Sequence, residues 1–393
     1  MRGLFLLVTV SAVLALLPAS AVAKPGHGRG HGHKNGSGVV YTQTQNPAGN
    51  EIVVYRRAAN GTIAEIARVP TGGVGAASTP PFGFPIVDSQ GSIELTKNGR
   101  LLFAVNAGDD TISSFRVHKH GGLTLVDREA SGGDLPVSID TQGKLLYVVN
   151  SLSPNISGLR FKPNGQMTPI PGSTEALSAS GPNTAPAQIG FAGRPYRVLT
   201  VTIRGTQTID TFKLGKDGTP GPAMPNASTD MNPFGFEYRR GGQLIMSNAG
   251  EAGAPDDLTK FLGRASSYKL AKSGTLTPID SISVDGQRAT CWVVITSNQR
   301  YAFMTNTLSQ TVSRFRISRD GHLTLLGHVA TGPGFASDEA LSRGSRYLYV
   351  LLPSIMGGTS HIDYYRVGPG GTLTQIGSTP SDLPPGASGL AAR

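Results

Sequence analysis

IDYYRVGPGG (362–371) and ISGLRFKPNG (156–165) share one outline. Each starts with a β-branched residue, then places an aromatic or aliphatic residue fourth, a cation fifth, another apolar residue sixth and Gly tenth. Five more decamers keep the frame with no gaps inside it: IVVYRRAANG (52–61), ISSFRVHKHG (112–121), IDTFKLGKDG (209–218), ASSYKLAKSG (265–274) and VSRFRISRDG (312–321). Alternating polar and apolar residues predict a half-buried strand, and the tenth position predicts a turn that needs positive φ, hence Gly. Most copies continue with a return strand of the form L-T-x-apolar, as in GGLTLV, GTLTPI and GHLTLL.

Upstream of most frames lies a further apolar strand, such as RLLFAVN (100–106), KLLYVVN (144–150), QLIMSN (243–248), RYAFMTN (300–306) or RYLYVL (346–351). Before that comes a shorter one, as in PVSID (136–140) and FGFEY (234–238). Four antiparallel strands recurring at a period of about fifty residues predict an all-β fold, a seven-bladed β-propeller in which each blade buries what none can bury alone. The chain opens at VVYTQT (39–44), the second strand of blade one, so that blade lacks its innermost strand. GASGLAA (386–392) after the seventh unit is expected to supply it and close the ring.

The repeats also act as a filter. A side chain present in every blade maintains the blade, whereas a binding site is asymmetric. The frame cations Arg56, Arg116, Arg160, Lys213, Lys269, Arg316 and Arg366 therefore read as structural, with stems over blade-to-blade surface and heads in water.

The first residues, MRG followed by LFLLVTVSAVLALLP and AVA, have the pattern of a secretory signal peptide (1–23) cleaved near Ala23. The apolar run is too short for a membrane span. A flexible Gly/His-rich tail (24–38) precedes the propeller (39–393). Its glycines give the histidines no fixed geometry, so no metal is expected. A secreted or periplasmic monomer follows. The net charge of +10 is scattered, without aromatics interleaved along a groove, and so argues against nucleic acid as partner. The one cysteine, Cys291, excludes an intrachain disulfide and sits in the apolar run TCWVVI, where it reads as a small buried hydrophobe.

Strings such as GGDLPVSIDTQGKLLYVVNSLSPNISGLRFKPNGQMTPI (132–170) resemble the lactonase-type seven-bladed propeller family, which includes a bacterial 6-phosphogluconolactonase and the fungal 3-carboxy-cis,cis-muconate cyclase. The resemblance runs from about Val39 to the C-terminus. It implies a substrate held at one mouth of the central channel by His, Arg and Glu side chains. This sequence departs from that pattern, because none of its eight histidines falls on an expected innermost strand.

Site candidates come from the face shared by the strand-two-to-three loops and the inter-blade loops. His361 lies there, as does the long blade-five loop NAGEAGAPDDLTKFLGRA (248–265). Polar residues on innermost strands add Glu94, Gln188, Glu237, Asp338 and Glu339. Lactone hydrolysis needs a base or positioned water and a cation at the carbonyl oxygen. Glu237 and Glu339 with Arg204 and His361 are the catalytic candidates, and Glu94, Gln188, Arg264, Arg288 and Asp338 the substrate-binding ones. No cofactor is expected. The expectation is hydrolysis or reversible closure of a small sugar- or organic-acid lactone. The alternative is a non-catalytic exported propeller that binds a small ligand or surface partner.

Overall fold

The computed structural model describes residues 37–76, 87–181, 184–250, 260–354 and 358–393. The leader and most of the Gly/His tail lie outside this range, as does much of the long blade-five loop. Seven antiparallel sheets follow one another along the chain, each built on four strands. Helical structure among the described residues amounts to short 3-10 turns such as Arg204–Thr206.

The innermost strands of blades one to seven are Ser388–Ala392, Ile93–Leu95, Pro136–Gln142, Pro186–Phe191, Pro233–Arg239, Thr290–Ile295 and Glu339–Leu341. Each touches the innermost strand of the blade before and after it, so the ring is complete. The expected closure is present. Val40 pairs with Ala392, Tyr41 with Ala391 and Thr42 with Leu390, and Val39 and Arg393 exchange two backbone hydrogen bonds of 3.1 and 2.9 Å. The core sits between blades rather than within them: one apolar cluster joins Val40, Val53 and Tyr55 of blade one to Tyr349, Leu351 and Ile362 of blade seven.

The frame glycines have two functions. All seven have positive φ, from +73° at Gly371 to +104° at Gly274 and Gly321, as the turn requires. Each also rests on the preceding blade, where a Cβ would overlap a neighbour, such as Val39 at Gly121, or at Gly165 press tightly on Leu101 and Val126. Their carbonyls accept hydrogen bonds from that blade. Tyr349, Tyr41 and Tyr147 donate to Gly61, Gly121 and Gly218 at 3.1, 2.9 and 2.5 Å. Ser114, Thr211, Ser267 and Arg314 donate to Gly165, Gly274, Gly321 and Gly371 at 2.7, 2.9, 2.8 and 3.5 Å. Phe103, the counterpart of Tyr147 in blade two, pairs in register with Ser114. A strand-two tyrosine or a strand-three donor thus reaches the same target. The seven frame cations are all exposed, as the sequence leads one to expect, and Arg160 extends across the blade boundary to the Asp217 carbonyl at 2.6 Å.

Candidate active site in the channel

The short innermost strands place one level of side chains around the channel. Glu94 pairs with Phe103, Asp140 with Tyr147 and Glu237 with Ile245, and each partner is the third residue of its second strand. The same level holds Gly190, Val294 and Ala340 in blades four, six and seven. Carboxyl groups therefore come from blades two, three and five, while small or apolar residues fill the other positions. Glu339, paired with Val350, stands one residue nearer the inter-blade loops.

The three carboxyls are half-buried and act on one another. Burial and two backbone N–H donors set Asp140: burial raises it to about 6, against hydrogen bonds from the Phe191 and Thr141 amides, both 2.6 Å. Glu237 is pushed up to about 8 by burial and by the Asp140 charge. Glu94 is raised well above the ordinary carboxylate range by burial and by Asp140 and Glu237. Near neutral pH, Asp140 is thus the ionised member and Glu237 holds a proton, while Glu94 is shifted in the same direction as Glu237. Environments that push like groups apart in this way define an acid and a base.

A strap that the sequence reading does not contain crosses the channel at the loop-rich mouth, where that reading puts the site. The chain leaving blade one passes through Asp88–Gly91 before entering blade two. Gln90 donates to the Val293 carbonyl at 2.8 Å and accepts from its N–H at 3.0 Å, nearly opposite in a seven-bladed ring. The Gln90 N–H donates to the Ala187 carbonyl of blade four (3.1 Å), and Ser138 of blade three donates to the Gln90 carbonyl (2.6 Å). Trp292 donates to the Ser89 carbonyl at 3.1 Å. Ser138 precedes Asp140 by two residues, which puts the strap about 7 Å along the channel from the carboxyl level.

The other candidates are placed as follows. Arg204 is bound to Asp88 of the strap at 2.6 Å and lies over the Phe234 ring, 5.0 Å from its centre. Gln188 joins blades four and five, its amide donating to the Phe236 carbonyl (3.0 Å) and accepting from the Phe236 N–H (2.6 Å). Arg264 is on the third strand of blade five, paired to Asp230 at 2.6 Å. Arg288 ends the outermost strand of that blade. His361 opens the third strand of blade seven, with Nε2 3.6 Å from the fully buried Asp363. The structure thus brings Glu94, Glu237, Asp338 and Glu339 to the channel and leaves the cations at its rim or farther out. No described innermost strand carries a histidine. Cys291 is buried, and burial raises its thiol well above the ordinary range.

Asp140 is the residue that sequence reasoning passed over. Its signal was available: SIE (92–94), SID (138–140) and GFE (235–237) place an acid at equivalent positions of three blades.

The lactonase seven-bladed β-propeller model matches residues 16–179. The chain resembles the lactonase-type propellers. A candidate 6-phosphogluconolactonase of Bacteroides fragilis superposes with a TM-score of 0.66 at 17% identity, covering 91% of this chain and 98% of that one. The periplasmic gluconolactonase PpgL of Pseudomonas aeruginosa gives 0.68 at 14%, covering 90% and 99%. A protein of Lactobacillus plantarum gives 0.69 at 13%, covering 91% and 99%. At these identities the likeness carries the lactonase-type fold, not the chemistry. No curated protein matches the chain.

Proposed function

We propose that this protein is an exported, monomeric lactone hydrolase whose chemistry is carried by Asp140, Glu237 and Glu94 in the channel beneath the strap. The single observation behind this reading is the split in proton affinity along one level of the channel, with Asp140 near 6 and Glu237 near 8. The family resemblance and the signal-like leader support the substrate class and the export.

In this reading the protonated Glu237 or Glu94 donates a hydrogen bond to the lactone carbonyl and stabilises the charge that develops on its oxygen. Asp140 takes a proton from a water as the water oxygen bonds to the carbonyl carbon. The acyl–oxygen bond of the ring then breaks, and Asp140 returns the proton to the departing ring oxygen, leaving a hydroxy acid. Asp140 keeps lone pairs free for this, since each of its oxygens accepts only one backbone N–H. Arg204, paired to Asp88, holds the strap in place.

The test is turnover of a lactone panel, headed by glucono-δ-lactone, by the mature protein and its Asp140→Asn variant in a pH-stat. Turnover lost in the variant supports the reading, whereas turnover unchanged in the variant overturns it. The strap across the mouth favours a second reading, a propeller that binds without turnover. Ligand-induced rises in melting temperature with no proton release would establish it.

A further inference from the structure

Glu339 is 3% exposed; neither of its oxygens has a well-formed hydrogen bond, and the one donor acting on it is the Val294 amide. Asp338 beside it is 4% exposed. It accepts the Glu339 N–H on Oδ1 at 2.9 Å, while Oδ2 has no well-formed hydrogen bond and only the Leu390 amide acts on the carboxyl besides. Burial raises Glu339 well above its ordinary value. The Asp338 charge adds to this, the Val294 amide opposes it, and the Glu237 charge adds again. Glu339 stands one residue along its strand from Ala340, which shares the level of Glu94, Asp140 and Glu237. Protonation would not satisfy it, because a neutral carboxyl still buries an O–H and a carbonyl oxygen that lack partners.

The neighbouring cations are engaged elsewhere. Arg204 holds Asp88, and Arg239, at the far end of the blade-five inner strand, donates to Gln243 and to the Ser318 carbonyl at 2.5 and 2.8 Å. Among the described residues, no three His, Cys, Asp or Glu side chains gather closely enough to enclose a metal ion. The carboxyls come from blades two, three, five and seven. That arrangement suits a group that needs one or two acceptors at bonding distance and is attracted by the others from farther away.

We propose that the channel beneath the strap binds an organic ammonium group, with Glu339 as principal acceptor and Asp338 Oδ2 as the second. A primary ammonium offers three donors; its charge favours the ionised form of Glu339 against the burial that raises it, and the charge-assisted bonds that result are the strong kind. The Asp140 charge, together with Glu339 once the ligand ionises it, disfavours phosphorylated or carboxylate ligands. The inference shares its location with the lactone reading and would make the substrate an amine-bearing lactone. It is read from binding alone, so either can fail without the other.

The experiment is calorimetric titration of the mature protein at pH 7 with 1,4-diaminobutane. Sodium chloride of equal ionic strength, calcium chloride and sodium gluconate serve as controls, with melting curves alongside. Diamine binding with a raised melting temperature, and no effect of gluconate, is the expected result. Glu339→Gln should weaken that binding about tenfold or more, the worth of one charged hydrogen bond, and Asp338→Asn should weaken it less. A diamine effect no larger than that of sodium chloride, a response to calcium alone, or undiminished diamine binding by both variants would overturn the proposal.

Discussion

The side-chain amide of Gln90 forms a two-way hydrogen-bonded clasp with the backbone of Val293, 203 residues later in the chain and across the channel. Gly235 lies against this clasp, and a Cβ there would overlap Gln90 Oε1. The strap is therefore a built part of the ring. Gly235→Ala should displace Gln90 and lower stability by about 1–3 kcal/mol, in the range of overpacking. Gln90→Ala should cost a comparable amount, because two buried backbone groups of Val293 lose their partners. Thermal melts of both variants check this, and a change under 0.3 kcal/mol in both would show the strap to be incidental.

Activity should follow a bell-shaped pH profile. It rises as Asp140 ionises through about pH 6 and falls as Glu237 loses its proton through about pH 8. Asp140→Asn should cost roughly 10²–10⁴ in rate. Glu237→Gln should remove the alkaline limb, because the amide keeps a donor at all pH values. Initial rates between pH 4.5 and 9.5 decide the matter.

Stability should fall with rising pH on account of the same carboxyls. Glu237 is raised in the folded protein, so the unfolded chain releases its proton first, near the ordinary value of 4.5, and the folded chain only near 8. The favourable contribution is complete below about pH 4.5 and is lost between there and about pH 8. Asp338, raised to about 8 by burial against the Glu339 and Leu390 amides, acts in the same direction. Glu237→Gln should flatten the curve of melting temperature against pH over that window; an unaltered slope would contradict the assignment.

Closure can be tested by deleting residues 386–393. This removes the innermost strand of blade one and exposes Gly38–Gln43 as an open edge, which invites association between chains. The truncated protein should melt lower and sediment as oligomers. A monomer with an unchanged melting temperature would show that blade one does not need the strand.

The blade boundaries separate strong contacts from weak ones. Gly121→Ala should cost about 2 kcal/mol or more, since it combines φ of +90° with overlap onto Val39. Tyr147→Phe should cost about 1 kcal/mol for its bond to Gly218. Arg160→Met, at an exposed position, should cost roughly 0–1 kcal/mol. Denaturant titration of the three variants should return that order.

The blades and their closure were legible because strands alternate with period two and because only Gly fits the frame turn, both of which are local properties. Glu94 and Glu237 stood out as acids within apolar inner strands. Asp140 did not, because in PVSID the acid closes the short apolar run and so looks like the polar end of a strand; only alignment with Glu94 and Glu237 across blades marks it. The strap had no local signature at all. Gln90 and Val293 meet only once the ring is assembled, and no period or turn residue announces such a pairing. The engagement of Arg204 by Asp88 and of Gln188 by Phe236 was hidden for the same reason.

The closing strand also sets an order of events in folding. Thr42 must wait for Ser388, 346 residues later, before its hydroxyl can find the carbonyl it bonds. Blade one thus remains a three-stranded fragment until residues 388–392 have been made, however early its own residues emerge. Contacts of such long sequence separation form slowly. The delay leaves Gly38–Gln43 an unpaired edge throughout the making of the other six blades.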